Sequence, residues 1–271
     1  MADAGLAVLE RAASLLHLPG SDAAPAVDPS LPGLRFPDGG RAVSLRAGVL
    51  DLLGDDFAAT ATQQSLDSPL SAGLYDRVRD VLAPLIGMPR FPDEVAEVME
   101  RLSLGEGEVV LDLACGHGNF TVELARRVGP SGLVLGVDIA RAMLARAAAR
   151  VERARLPNVL LVRGDALALP IRTASLVRIN CSGGLHQLPD LARALAEIAR
   201  VSAPGARVVL SSFATGSDRP ARWRRGLRER FALHVVSLPA LAHDLAALGF
   251  TDVGWRTAGP VFGRAWARRP T

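Results

Sequence analysis

Val109-Val-Leu-Asp-Leu-Ala-Cys-Gly-His-Gly-Asn-Phe-Thr121 is the stretch on which the fold turns. Val109 to Leu113 form an apolar run interrupted by one acid, Asp112, the pattern of a short strand covered on both faces in a parallel sheet. Gly116 and Gly118 then let the backbone turn tightly and approach a bound group closely. From Asn119 to Arg127 the apolar residues Phe120, Val122, Leu124 and Ala125 return at helical spacing. A helix that starts behind a glycine turn presents unpaired backbone N–H groups to a polar or anionic ligand group. The stretch therefore predicts a strand, a turn, a helix and a nucleoside-type cofactor bound at the turn.

The glycine spacing narrows the cofactor. A dinucleotide fingerprint, Gly-x-Gly-x-x-Gly, needs a third glycine where Thr121 stands. A phosphate-binding P-loop needs Gly-Lys-Ser/Thr, and the chain contains no lysine. A plain strand-to-helix turn could carry the same two glycines, so the neighbouring segments decide. The run Asp112-Leu-Ala-Cys-Gly-His-Gly118 resembles motif I of the class I S-adenosylmethionine-dependent methyltransferases. Three later segments are similar to that family in the same order. Leu133-Val-Leu-Gly-Val-Asp138 is a second apolar strand ending in an acid, followed by a helical stretch over Ala140–Val151. Asn158 to Ala166 is a third strand, closed by Asp165, and Leu176 to Pro189 resembles motif IV with its loop. A helix from Leu191 to Val201, a Pro204-Gly205 turn and a strand over Ala206–Phe213 follow. The resemblance covers about half the chain.

The resemblance implies an α/β fold: a Rossmann-like, seven-stranded, mostly parallel sheet with helices on both faces, plus a small N-terminal extension. It implies S-adenosylmethionine as cofactor and S-adenosylhomocysteine as product. Asp112 and the backbone of Ala114, Cys115, Gly116, His117 and Gly118 would hold the methionine end. Asp138 would accept both ribose hydroxyls, with Ile139 and Met143 beside it. Asp165 and Ala166 would meet the adenine, and Cys181 and Ser182 the sulfonium side. An acid at a strand end also serves as a solvated cap, the plainer reading of each one taken singly.

The cofactor carries an electrophilic methyl group, so the protein mainly aligns the acceptor and excludes water. A general base is needed where the acceptor is a phenol, an alcohol or a carbon acid. His186, in the loop after the fourth strand, is the candidate, because histidine titrates near neutrality; its plainer role is a hydrogen bond that anchors the loop. Asn180-Cys-Ser-Gly-Gly184 lacks the Pro-Pro-aromatic continuation found in enzymes that methylate base amino groups. Leu185-His-Gln-Leu-Pro-Asp190 instead resembles small-molecule methyltransferases, among them quinone-biosynthesis C-methyltransferases. The expected reaction is methyl transfer to oxygen or carbon of a small organic acceptor. An RNA methyltransferase, or a cofactor-binding protein of this fold that transfers nothing, is the alternative.

Outside these motifs, residues 1–33 read as a helix, with Leu6, Leu9, Ala13 and Leu16 at helical spacing, and a Pro/Ala-rich linker. The helix is an interface or lid element, or a frayed terminus. Residues 34–91 form a leader: short strands around Gly39-Gly40, then Thr60–Phe91 with the chain's single tyrosine, Tyr75. The piece resembles a zinc-ribbon leader in which Phe36-Pro37-Asp38-Gly39 replaces the Cys-Pro-x-Cys ligands, so no metal is expected. Tyr75 either contributes to the acceptor pocket or only packs the leader. Residues 92–271 are the methyltransferase domain, opened by a helix over Pro92–Leu104. An acceptor lid is expected at 214–236. There Trp223 and Arg224 sit in a cluster with Arg219, Arg222, Arg225, Arg228 and Arg230, read as a solvated helix face or as a site for an anionic acceptor. A helix over Leu238–Leu248, capped by Ser237, and two strands over Phe250–Thr257 and Val261–Arg268 close the domain. Trp255 and Trp266 are read as core or sheet-face residues.

Composition agrees with this reading. The chain has 271 residues, 49% of them hydrophobic, which suits one sizeable α/β domain with an appendage. All 31 basic residues are arginine against 28 acids, a formal charge of +3. That excess is small, and nucleic acid is the minor partner reading. Two cysteines, Cys115 and Cys181, exclude a disulfide framework. No apolar run reaches the ~18 residues of a membrane span, and no basic-then-apolar leader opens the chain, so the expected location is the cytoplasm. The sequence leaves the oligomeric state open.

Overall fold

The computed structural model describes residues 2–18, 23–28, 30, 32–37, 40–55, 57, 89–217, 235–259 and 262–271. Tyr75, the 60–88 leader and residues 218–234, with Trp223, Arg224 and the arginine cluster, lie outside them.

The central strands are β5 (Val109–Leu113), β6 (Leu133–Asp138), β7 (Val159–Arg163), β8 (Leu176–Ser182) and β9 (Ser202–Thr215). They run parallel in the order β7-β6-β5-β8-β9. The hairpin of β11 (Thr251–Thr257) and β12 (Phe262–Arg268) completes the sheet, β12 lying antiparallel to β9 and β11 at the edge. The two-residue strand β10 (Val236–Ser237) pairs with the end of β9. These seven principal strands are the ones the motifs imply.

Alternation along each strand splits its residues between two faces. Val110, Val134, Leu161 and Val209 point to one face, against helices α2 (Phe91–Leu102), α3 (Asn119–Val128) and α4 (Arg141–Ala154). Leu111, Leu135, Leu160 and Leu210 point to the other, against α1 (Ala2–Ala13), α5 (Leu191–Val201) and α6 (Leu238–Ala247). With both faces covered, the strands read as unbroken apolar runs.

Local chemistry sets the helix ends. Asp190 caps α5 by accepting the Arg193 N–H at 2.9 Å, and Ser237 caps α6 by accepting the Ala240 N–H at 3.3 Å. Pro92 sits in the first turn of α2, and Ser103 ends that helix in a left-handed conformation, φ 48°, so Leu104 lies past it. Ser202 already pairs with Leu176 of β8; the chain then turns out of register through Pro204-Gly205, with Gly205 at a left-handed φ of 77°, and pairing resumes at Arg178 and Arg207.

The N-terminal segment packs on the domain in two places. The short strands β1 (Ala26–Val27), β2 (Gly33–Arg35), β3 (Ala42–Arg46) and β4 (Val49–Asp51) form an antiparallel ribbon. That ribbon is not a free leader: β4 pairs parallel with β7, Leu50 opposite Val162, and lengthens the sheet beyond seven strands. Phe36, at the start of the expected ligand remnant, is buried in the main core. Helix α1 is docked rather than frayed. Leu9 and Ala12 of the helix, and Leu16 just past its end, are fully buried, each leucine contributing about 2 kcal/mol. Arg11 ties the helix to the loop before β6 through the carbonyls of Pro130, Ser131 and Gly132.

Candidate active site

Strand order reverses at β5: the chain runs outward through β6 and β7, then returns to β8 on the other side. At such a switch point the loops leave in opposite directions and open a crevice at the carboxyl ends of the strands. A cleft opens there, walled by the ends of β5, β6, β7 and β8 and the loops that follow them.

One wall is the glycine turn. Ala114 and Gly116 have left-handed φ values of 52° and 53°, and Gly118 one of 81°. A Cβ on Gly118 would stand 3.0 Å from the Ala147 Cβ, so this glycine lets α3 pack on α4. A Cβ on Gly116 would meet nothing within 4 Å. Its bare face borders open space in the cleft, where a ligand can come within contact of the backbone.

The second wall is the end of β6. Asp138 Oδ2 accepts the Gly116 N–H at 2.8 Å, and Oδ1 accepts the Ala140 N–H at 2.9 Å. The carboxylate thus ties the glycine turn to the start of α4 while lining the cleft. Ile139 and Met143 line the cleft beside it. Beyond β7, Asp165 accepts the Leu167 N–H at 2.9 Å and lines the cleft with Ala166. The Gly164 N–H donates to the Asp138 carbonyl at 3.0 Å and locks these two strand ends together.

The floor comes from β8 and its loop. Ser182, Gly183 and Gly184 line the cleft, and the Gly184 backbone packs so tightly on Ala114 that a Cβ there would fall 2.3 Å from the Ala114 Cβ. Burial pushes the Cys115 thiol up, with Asp138 and Asp112 adding to the shift, and pushes Cys181 up to about 12. Neither thiol ionises near neutral pH, so neither is a nucleophile.

Of the residues singled out from sequence, Ala114, Cys115, Gly116, His117, Asp138, Ile139, Met143, Asp165, Ala166 and Ser182 line the cleft. Asp112, Gly118, Cys181 and His186 do not. Asp112 lies buried beneath the turn, accepting the Thr121 hydroxyl at 2.6 Å and the Asn180 amide at 2.8 Å. Burial pushes its carboxyl up to about 6 against those two hydrogen bonds, with Asp138 adding to the rise. His186 is buried too, its ring edge-on to Phe213 at 4.9 Å and its Nδ1 3.3 Å from the Ser212 hydroxyl. Its neighbours Gln187, Leu188 and Pro189 face the cleft instead. Sequence reasoning passed over these three, and Asn119; in a loop and a first helical turn, spacing does not say which side chain points inward. Among the described residues no cluster of His, Cys, Asp and Glu could hold a metal ion, and no helix is long and apolar enough to cross a membrane.

Comparison with known proteins agrees with the fold. A family described as "Methyltransferase domain" matches residues 110–205, from β5 into β9. The chain is 34% identical over 181 residues to a demethylmenaquinone methyltransferase of Geobacillus sp. (strain WCH70), covering 67% of this chain and 73% of that protein. It is 40% identical to the demethylmenaquinone methyltransferase of Lactococcus lactis and 38% identical to a 2-phytyl-1,4-naphtoquinone methyltransferase of Thermosynechococcus vestitus, over 42% and 52% of this chain. Those two matches span only 45% and 60% of the relatives' own lengths. Among solved structures, phosphoethanolamine N-methyltransferase 2 of Haemonchus contortus superposes with a TM-score of 0.67 at 14% identity, over 79% of this chain and 61% of that one. Geranyl diphosphate C-methyltransferase of Streptomyces coelicolor A3(2) gives 0.61 at 16% identity, over 78% and 99%. With identity at this level sustained over nearly three quarters of the Geobacillus protein, the chain belongs to the class I S-adenosylmethionine-dependent methyltransferases.

Proposed function

We propose that this chain transfers the methyl group of S-adenosylmethionine to carbon or oxygen of a small, largely apolar acceptor in the cytoplasm. The observation that carries the reading is the meeting of Gly116 and Asp138. A glycine face open to the cleft stands hydrogen-bonded to a carboxylate that lines the same cleft, as a nucleoside with an attached amino acid requires. When bound, the cofactor supplies an electrophilic methyl group on a positively charged sulfur.

The chain's residues then have distinct tasks. Ala114 to His117 receive the methionine end, Asp138 the ribose hydroxyls, Asp165 and Ala166 the adenine, and Ser182 the sulfonium side. Asp112, Gly118 and Cys181 support these positions from beneath. We assign His186 to orienting the loop that carries Gln187 and Leu188, because its ring packs on Phe213 and Ser212 rather than lining the cleft.

Leu188 and Pro189 also border a second groove, lined by Leu185, Leu191, Val236 and Leu241. This largely apolar groove beside the cleft, which Ser237 and Asp244 also line, fits an acceptor with a hydrophobic body, and the relatives named for menaquinone and phytylnaphthoquinone precursors support that class. Contributions from Tyr75, Trp223 and Arg224, and an anionic group on the acceptor, belong to the same proposal and rest on the sequence alone. The two buried free thiols fit a reducing compartment.

The test is calorimetric binding of S-adenosylmethionine and S-adenosylhomocysteine, followed by a labelled-methyl assay with 1,4-naphthoquinone-type acceptors. Binding with label in the product supports the proposal. Binding without transfer to any phenol, quinone or carboxylated acceptor would make this a cofactor-binding protein, and no binding would remove the cofactor site.

A further inference from the structure

Ser182 is the residue of β8 that lines the cleft, and its hydroxyl has one proton and two lone pairs to place. The proton is committed: Ser182 Oγ donates to Asn180 Oδ1 at 2.8 Å. Asn180 is held in that orientation because its Nδ2 donates to Asp112 Oδ1 at 2.8 Å. Asp112 in turn accepts the Thr121 hydroxyl on its other oxygen, and an ionised carboxylate has nothing to donate. Asp112 and Asn180 stand in register on adjacent strands, both buried, so each fixes the other's direction. On the far side of Ser182, Ser211 Oγ lies 3.4 Å away and accepts the Arg264 Nε–H at 2.8 Å. Ser211 Oγ is thus a second and longer acceptor for the same Ser182 proton, and it too lies away from the cleft. With its proton on Asn180, Ser182 presents oxygen lone pairs to the cleft.

We infer that Asp112 and Asn180 are positioning residues that hold the Ser182 proton away from the cleft and turn an oxygen lone pair into it, making the site prefer a cationic ligand over its neutral counterpart. The inference rests on the cofactor reading above, under which the cationic ligand is S-adenosylmethionine and the neutral one S-adenosylhomocysteine. A structural role for the same pair would weaken both ligands together. Only a set polarity at Ser182 changes their ratio.

The experiment is the calorimetric Kd of both ligands on the wild-type chain, Ser182→Ala, Asn180→Ala and the double variant, at about pH 8, where the Asp112 carboxyl is ionised. Asn180→Ala leaves the Ser182 proton only the 3.4 Å contact to Ser211 Oγ and so frees it to enter the cleft. It is expected to weaken S-adenosylmethionine by about tenfold while S-adenosylhomocysteine stays within about twofold. Ser182→Ala shifts the ratio in the same direction, and adding Asn180→Ala to it changes the ratio no further. Equal weakening of both ligands, or an Asn180→Ala effect that persists in the Ser182→Ala background, overturns the inference and leaves the cofactor site standing. Should Asn180→Ala fail to fold, an unaltered ratio in Ser182→Ala overturns it just as well. A wild-type chain that binds neither ligand overturns the cofactor reading, and the inference with it.

Discussion

The Asp138 carboxylate and the Gly116 backbone N–H, 22 residues apart, are joined by a 2.8 Å hydrogen bond. Through it the acid at the end of β6 shapes the turn at the end of β5 while facing the same cleft. Asp138→Ala therefore removes a ligand contact and loosens the turn at once. A hydrogen bond to a charged group is worth roughly 1.5–3 kcal/mol, so affinity for S-adenosylhomocysteine should fall by about 10- to 100-fold. Calorimetry measures this, and unaltered affinity would take Asp138 out of the site.

The two turn glycines separate binding from stability. Gly116→Ala places a Cβ in open cleft space, at a φ an L-residue reaches for about 1–2 kcal/mol. It should fold and lose cofactor affinity. Gly118→Ala adds to a φ of 81° a clash 3.0–3.1 Å from Ala147, and should cost more in stability, about 2–4 kcal/mol. Urea unfolding of both variants checks the order; a Gly118→Ala as stable as Gly116→Ala would contradict the α3–α4 packing argument.

Asp112 sets a pH dependence of known sign. Its folded-state pKa, about 6, lies above the ordinary 3.8, so the fold favours the protonated form. Its contribution is fully present below about pH 4 and is lost as pH rises through about 6, a swing of about 3 kcal/mol. Measured as a difference, the wild type should lose stability relative to Asp112→Asn between those values and hold level above them. A flat difference would mean that Asp112 titrates normally.

The ribbon is pinned by Arg163. Its Nη1 donates to both Asp51 oxygens at 3.2 Å and to the Gly54 carbonyl at 2.6 Å, and its Nε to the Ile139 carbonyl at 3.1 Å. Arg141 reaches the same loop through Asp51 and Asp55. One guanidinium thus connects β4 to the residue after Asp138. Arg163→Ala should destabilise the chain by about 3 kcal/mol and speed amide exchange in β3 and β4 before the rest of the sheet. Uniform exchange across the sheet would show that the ribbon does not depend on this tie.

Sequence by itself determined the strand–turn–helix at Val109–Thr121, the acids ending β6 and following β7, and the closing hairpin. Each of these is a local pattern: a run of apolar residues, a glycine pair, a cap, a period. Only the tertiary structure decided that Leu50 pairs with Val162, because nothing in a three-residue ribbon strand names a partner more than a hundred positions away. It also decided which side chains face the cleft. His186 and Gln187 are neighbours in one short turn, yet Phe213 and Ser212 of β9 take the histidine ring and leave glutamine to the cleft. Asp112 reads in sequence like Asp138, an acid near a strand's end. It lies one residue before the last position of β5, however, and Asn180 and Thr121 close over it. Asp138 is the last residue of β6 and stays open to the cleft. Period and composition act within a segment, whereas burial, hydrogen-bond direction and pKa arise where segments distant in the chain meet.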